Sequence, residues 1–421
     1  MSATDLHRTI DAVWKMEAGK LIAGLTRIVR DVGLAEDLAQ DALVVALEKW
    51  PESGVPENPG AWLMATAKHR SIDLFRRNQL LARKHEEVGR EIEAKQMAMP
   101  NFDAAVEDNI GDDLLSLMFI SCHPVLSTEA RAALTLRLLG GLTTDEIARA
   151  FLASEPAIAQ RIVRAKRTLS DAHVPFEVPR GGELVARLSS VLEVIYLIFN
   201  EGYSATAGED WIRPGLCEEA LRLGRTLAEL SPSEPEVHGI VALMEIQASR
   251  MKARVGPSGE PILLFDQDRS RWDQLLIRRG LAALDRAETL SATRGSYTLQ
   301  AAIAACHARA RAPEETDWGH IVALYDALAE LAPSPVVQLN RAVAVAMASG
   351  PAAGFELTEK LTSESSLRNY HLLPSVRGDL LTKLGRLAEA RAEFERAASL
   401  TRNARERELL LSRAERLRES H

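Results

Sequence analysis

Three short stretches of the chain concentrate charge in ways that bear on chemistry. Between Lys68 and Lys84 stand six basic residues (Lys68, Arg70, Arg76, Arg77, Arg83 and Lys84) against one acid, Asp73. Between Arg161 and Arg167 stand four basic residues and no acid, with Gln160 just before them. Guanidinium and ammonium groups so placed neutralise phosphates, and on a helix face Gln pairs with adenine while Arg pairs with guanine or phosphate. The third stretch has the opposite sign. Asp31, Glu36, Asp37 and Asp41 crowd one short segment with Leu38 between them, and like charges so placed repel unless a basic partner meets them. Taken alone, that pattern also fits a solvated helix face with a capping acid.

The rest of the composition narrows what these clusters can mean. The chain has 421 residues and a net charge of -8, and residues 1–178 hold 21 Lys and Arg against 26 Asp and Glu. A globally basic nucleic-acid protein is therefore excluded, and phosphate contact has to be local. With 46% hydrophobic and 26% charged residues over this length, a buried core is assured and disorder is not the reading. Aromatics are only 5%, and Ala, Leu and Arg crowd the sequence, so the expected fold class is all-α. No stretch approaches the roughly 18 consecutive apolar residues of a membrane span, and the N-terminus lacks a signal-peptide layout. These features predict a cytoplasmic protein with no membrane partner. Cys122, Cys217 and Cys306 lie far apart with no C-x-x-C pair, which predicts core thiols rather than disulfides or a metal site. The phosphate-loop, H-E-x-x-H and G-x-S-x-G patterns are absent, and the adjacency of Cys122 and His123 does not itself set a thiolate against a base. Neither an enzyme nor a cofactor is expected.

Helices must position the charged clusters. From Asp11 to Arg77 apolar residues such as Leu21, Leu25, Ile28, Leu34, Leu38 and Val45 recur at helical spacing, which predicts a small bundle. WPESGVPENPG (50–60), with three prolines and two glycines, reads as a loop between two of its helices. Residues 78–113 end in NFDAAVEDNIGDD, with five acids and no base, and read as a linker. From about Leu114 a second unit begins. Thr143 and Glu146 fit a capping box, the helix they open continues to Phe151, Leu152 to Ser154 form a tight turn, and a second helix starts near Glu155 with Pro156 in its first turn. This is a helix-turn-helix layout. Ile158, Ile162 and Leu169 fall inward, which leaves Ala157, Gln160, Arg161, Arg164 and Arg167 on or beside the outward face.

Beyond Arg180 almost everything reads as helix except around GEDWIRPGL (208–216) and RVGPSGEPILLFDQDRSRWD (254–273). ELSPSEPEV at Glu229 recurs loosely as ELAPSPVV at Glu330, an offset of 101 residues, close to three repeats of about 34. Gly378, Leu381, Gly385, Leu387, Ala390, Phe394 and Ala397 fit the small and large positions of one tetratricopeptide-like helix pair. DQDRSRWD (266–273) is read either as a ligand or partner site or as a loop locked by its own salt bridges. FNEGY (199–203) is read as a helix end closed by Gly202.

DVGLAEDLAQDALVVALEKW (31–50) and NPGAWLMATAKHRSIDLFRR (58–77) resemble the adjoining signature segments of region 2 in bacterial sigma factors of the extracytoplasmic-function type, and LTTDEIARAFLASEPAIAQRIVRAKRTL (142–169) resembles their region 4. LIFNEGYSAT, LCEEALRLGRTLAELSPSEPEVHG and DQDRSRWD look like the subgroup with a long tetratricopeptide-like extension. The resemblance divides the chain into region 2 (1–80), a linker (81–113), region 4 (114–175) and a helical-repeat extension (181–421). It implies a sigma factor that binds core RNA polymerase and promoter DNA and initiates transcription. It further implies that Asp31, Glu36, Asp37, Leu38 and Asp41 meet the polymerase clamp. Trp62, Lys68, Arg70, Arg76 and Arg77 would hold the opening downstream promoter element, and Ala157, Gln160, Arg161 and Arg164 would read the upstream one. Leu152 stands where the family has a frequent glycine, which predicts a turn without positive φ. The extension would regulate or support activity and take a protein or peptide ligand on a concave face. The rival reading is a stand-alone helix-turn-helix regulator with a helical sensor domain, and only a sigma factor needs both the acidic 31–41 face and the basic 68–77 face in one bundle.

Overall fold

A computed structural model of the chain describes residues 3–87 and 110–419. The chain divides into two compact units, Met1–Val194 and Ile195–His421. Eighteen α-helices, five short 3-10 helices and one two-residue parallel strand pair make up the regular structure of the described residues, as the sequence predicts for an all-α protein.

In the first unit α1 (Ala3–Val29) packs against α2 (Val32–Ser53) and α3 (Pro59–Glu87), and then against α4 (Ile110–Ser121). Its buried stripe, Ile10, Val13, Ala18, Leu21, Ile22 and Leu25, follows the helical period that the sequence shows. Asp31 caps α2, its carboxylate accepting the Leu34 N–H at 2.8 Å. The 50–60 loop is shorter than expected. Trp50 to Ser53 continue α2, with Pro51 inside the helix, and Pro59 and Gly60 already belong to the first turn of α3, where proline's missing N–H costs nothing. Trp50 is 1% exposed, and burying a ring of that size stabilises the bundle by about 3 kcal/mol. That burial carries the helix through the proline. The ends of the expected linker are helical, in α3 up to Glu87 and in α4 from Ile110, and residues 88–109 of it lie outside the described residues.

The second part of this unit is formed by α4, α5 (Thr128–Leu138), α6 (Thr144–Phe151), α7 (Glu155–Asp171) and the beginning of α8 (Gly182–Tyr203). Arg187 on α8 donates to the Phe119 carbonyl at 3.0 Å, and Ser190 donates to that of Cys122 at 2.6 Å. The backbone that follows the 173–182 segment is therefore tied to α4 well before Val194.

The second unit consists of antiparallel helix pairs. α9 (Pro214–Leu230) and α10 (Pro235–Ala248) are followed by α11 (Gln274–Leu290), α12 (Ser296–Arg309), α13 (Trp318–Leu331), α14 (Pro335–Ser349), α15 (Pro351–Leu361), α16 (Leu372–Lys383), α17 (Leu387–Leu400) and α18 (Ala404–Glu419). Most helices pack on their chain neighbours, and α10 also packs on α12. The recurring ELSPSEPEV and ELAPSPVV text marks the α9–α10 and α13–α14 turns, each with proline in the first turn of the second helix. Between α16 and α17 the Gly378 position admits the Phe394 ring so closely that a Cβ there would lie 2.8 Å from it. The strand pair, β1 (Ala207–Gly208) with β2 (Arg402–Asn403), is fixed by fully buried Asn403, which donates to the carbonyls of Ala205 and Asp210.

Candidate polymerase and promoter interface

The five acidic-segment residues split into two groups. Asp31 is spent on the cap of α2. Glu36 is 2% exposed and Leu38 3%, so neither is part of an open face. The Glu36 carboxylate takes the Arg137 guanidinium of α5 at 2.6 Å, and it also pairs with Lys166 of α7 and accepts from Gln40. The basic partner that like charges require is therefore supplied to Glu36 by the chain itself. Asp37 and Asp41 remain exposed.

Those two aspartates line a cleft of about 250 Å³ between α2 and α3, with Leu38 on its floor and Arg70, Asp73 and Leu74 on its far side. The sequence assigns Asp41 and Arg70 to two different partners, and the fold brings them to one groove. No ion pair joins Asp73 to Arg70 among the described residues. Arg70 and Arg76 are exposed and Lys68 is half-buried, while the Arg77 side chain lies outside the described residues. Trp62 is half-buried and meets the buried Trp50 edge-on, ring centroids 5.3 Å apart, so one side of its ring is committed to the core.

Region 4 follows its expected register. Thr143 and Glu146 form the reciprocal capping box, and Ile158, Ile162 and Leu169 are buried. Leu152 corrects one expectation: its φ is 49°, in the left-handed region that the absence of glycine argued against. Its N–H closes α6 on the carbonyls of Ala148 and Arg149, and its side chain is 53% exposed, so the strain is offset by capping without a core clash. Ala157, Gln160 and Arg164 are exposed and Arg161 half-buried. With Ser127 and Ala130 at the start of α5 they line a cleft of about 450 Å³. Ser127 caps α5 there, its hydroxyl accepting the Ala130 N–H, and the Glu129 carboxylate at this helix start is held below its ordinary value by its own backbone N–H and the Ser127 hydroxyl, with Arg161 adding to the effect. The Ser127-Thr-Glu signature of a helix start marks this contribution in the sequence.

Sequence reading also missed Arg137 and Lys166. Lys166 belongs to the four-residue basic island of α7, but its side chain turns to Glu36, with Asp37 4.0 Å away. Two further pairs join the same parts of the unit, Lys15 with Glu146 and Arg27 with Asp113, both at 2.9 Å. Burial pushes the Asp113 carboxyl up, and the Arg27 charge offsets only part of that.

Three remaining expectations resolve plainly. All three cysteines are buried and free, and burial pushes Cys122 up to about 11, so its thiol is not activated by the neighbouring His123. Gly202 does not close α8 but lies within it, where a Cβ would sit 2.7 Å from the backbone nitrogen of Cys217. DQDRSRWD is not locked by its own salt bridges: among the described residues Asp268 and Asp273 accept backbone N–H groups, while Arg269 donates to the carbonyls of His307 and Ala310.

Residues 14–80 match sigma-70 region 2, residues 116–169 match sigma-70 region 4, and residues 187–288 match a family of unknown function (DUF6596). The "Uncharacterized protein R00370" of Rhizobium meliloti (strain 1021) is 43% identical over 387 residues, covering 91% of this chain and 90% of that protein. The chain belongs to one family with that protein and carries the region 2 and region 4 domains of sigma-70 factors. It is a sigma factor, a non-enzymatic protein that binds core RNA polymerase and promoter DNA to initiate transcription, with a helical domain attached behind region 4. The region 2 match sets aside the stand-alone regulator. No helix among the described residues is long and apolar enough to cross a membrane.

Proposed function

We propose that the chain is a cytoplasmic sigma factor of the extracytoplasmic-function type whose second unit is a tetratricopeptide-like extension that supports activity and takes a peptide on its concave face. In this reading Asp37 and Asp41 are the direct polymerase contacts, Asp31 and Leu38 shape the helix that presents them, and Glu36 joins only when polymerase displaces Arg137 and Lys166. Lys68, Arg70, Arg76 and Arg77 hold the phosphates of the melting downstream element beside Trp62. Ala157, Gln160, Arg161 and Arg164 read the upstream element.

The observation that carries the reading is the pair of exposed carboxylates, Asp37 and Asp41, along a cleft whose other wall is Arg70, on the segment that matches region 2. Two cations on α5 and α7 already compensate Glu36, while Asp37, 4.0 Å from Lys166 but exposed, and Asp41 face outward to attract a basic surface. The test is copurification with core polymerase and transcription from promoter DNA in vitro. Asp37→Arg with Asp41→Arg abolishes copurification while the circular dichroism spectrum and melting temperature stay the same, because exposed reversals change stability by only about 0.5 kcal/mol. Normal copurification by a folded double variant sinks the assignment.

A further inference from the structure

The second unit holds one buried guanidinium, Arg254, and two half-buried ones, Arg250 and Arg269, that meet aromatic rings rather than acids. Arg254 is 7% exposed, and its guanidinium lies 3.6 Å above the Tyr203 ring and 5.6 Å from that of Trp211. It has no carboxylate partner and no side-chain hydrogen bond among the described residues. Arg250 and Arg269 stand over the ring of Trp272, at 5.4 and 4.9 Å, and neither makes an ion pair among the described residues. Arg250 bonds to Gln267, and Arg269 to two backbone carbonyls. These contacts satisfy hydrogen bonds, but no carboxylate pairs with Arg250 or Arg254: burial first, opposed by Tyr203 and assisted by Arg254 and Arg269, holds Arg250 below its ordinary value, whereas Glu314 and Glu315 bear on Arg269.

Elsewhere in this unit the buried guanidinium of Arg377 is paired with Glu359 and Glu393, and even the half-buried one of Arg225 meets Glu245 at 2.8 Å. A buried charge left without a counter-charge is costly, and the cost falls when an anion occupies the site. The unsatisfied atoms specify which kind. Arg254 Nε, Arg269 Nε, Trp211 Nε1 and Trp272 Nε1 are buried N–H donors with no acceptor among the described residues. Donors in that number, beside the guanidiniums of Arg250 and Arg254 that no carboxylate meets, call for several oxygens carrying more than one charge. A phosphoryl group, with three acceptor oxygens and a charge of about -1.5 to -2 at neutral pH, meets that need better than a single carboxylate. Tyr203, Trp211 and Arg250 are half-buried, so the cluster reaches the surface.

We propose that Arg254, flanked by Arg250, Tyr203 and Trp211, binds the phosphoryl group of a small phosphorylated molecule, and that this is a ligand site of the second unit. All of these residues, with Arg269 and Trp272, fall within the 187–288 segment that matches the family of unknown function. The site is independent of the polymerase and promoter contacts, and its test does not use them.

The full chain, dialysed into chloride buffer of fixed ionic strength, is titrated with inorganic phosphate, pyrophosphate and succinate while melting temperature and tryptophan fluorescence are followed. Phosphate or pyrophosphate raises the melting temperature saturably, by about 3 °C at tenfold excess over the dissociation constant, and changes the emission of the tryptophan beside Arg254. Arg254→Met removes both responses. Arg254→Lys keeps a cation but loses the planar fork, so it weakens binding at least tenfold, and it decides the matter if the methionine variant does not fold. Equal shifts in the wild type and the Arg254 variants mean a general salt effect and overturn the site. So does the absence of any response to phosphate or pyrophosphate. A saturable response to succinate alone assigns a dicarboxylate and overturns the phosphoryl reading.

Discussion

Glu36 in the first unit and Arg254 in the second are buried to a similar degree, at 2% and 7% exposure, and the protein treats them in opposite ways. Glu36 is met by two cations from different helices, Arg137 and Lys166. Arg254 is met by aromatic faces and by no acid. The first arrangement is complete within the chain: Glu36 and, at 4.0 Å from Lys166, Asp37 balance the two cations in a cluster that ties α2 to α5 and α7, and a basic surface on polymerase has to compete for it. The second is incomplete, because aromatic quadrupoles attract a cation but cannot neutralise it. A compensated buried charge is evidence of a clamp, and an uncompensated one is evidence of an occupant.

The largest effect expected from this contrast is on the clamp. Glu36→Ala strands the half-buried Arg137, takes from half-buried Lys166 its nearer carboxylate, and lowers unfolding free energy by about 4 kcal/mol, read from urea denaturation. Adding Lys166→Met to that variant recovers part of the loss, since a cation deprived of its nearer carboxylate is then gone. If Glu36→Ala costs less than a surface substitution, the ion cluster is not what holds these helices together.

The second effect belongs to the cationic side. Burial first, then the charges of Arg250 and Arg269, push His307 down to about 4, against an ordinary value near 6.5. The folded form keeps this ring neutral while the unfolded chain protonates it, so its contribution to stability is present above pH 6.5 and is lost as pH falls from 6.5 towards 4. The full loss is about 3 kcal/mol. Unfolding free energy measured at pH 7, 6 and 5 therefore declines more steeply in the wild type than in His307→Phe, which has no proton to gain. Parallel profiles for the two proteins would remove His307 from the cationic cluster.

What the sequence could and could not reveal follows the same division between local and long-range interactions. The helix-turn-helix was readable because a capping box, a proline in the first turn and apolar residues three and four apart are all local, and the chain obeys them at Thr143, Pro156, Ile158 and Ile162. Leu152 misled because a glycine preference is a statement about cost, and here the cap hydrogen bonds and an exposed side chain make that cost tolerable. The Glu36 cluster was illegible. Arg137 lies 101 residues away in the chain, and nothing at position 36 distinguishes it from Asp37, which stays exposed. The Arg254 cluster was half legible: DQDRSRWD and FNEGY stood out as unusual, but their arginine and tyrosine join residues from other segments only in the folded unit. The hydrogen bonds of Arg187 and Ser190 to the carbonyls of Phe119 and Cys122 were illegible for a similar reason, since each joins residues 68 apart in the chain.

The smallest effect separates two cations two positions apart on α7. Lys166 is committed to Glu36, whereas Arg164 is exposed, makes no ion pair among the described residues, and lines the cleft with Gln160 and Arg161. Arg164→Ala changes stability by less than about 0.5 kcal/mol, since no partner is stranded. On duplex promoter DNA it weakens binding by about 1 kcal/mol and lowers the slope of log affinity against log salt by about one, as loss of a single phosphate contact does. Lys166→Ala does the reverse: it lowers stability and leaves the salt slope unchanged, because its ammonium is already paired inside the fold. The measurement is the salt dependence of DNA binding for both variants beside their urea unfolding curves. If Lys166→Ala lowers the slope as much as Arg164→Ala, the ion pair to Glu36 opens when DNA binds, and the division of α7 into an internal and an external cation fails.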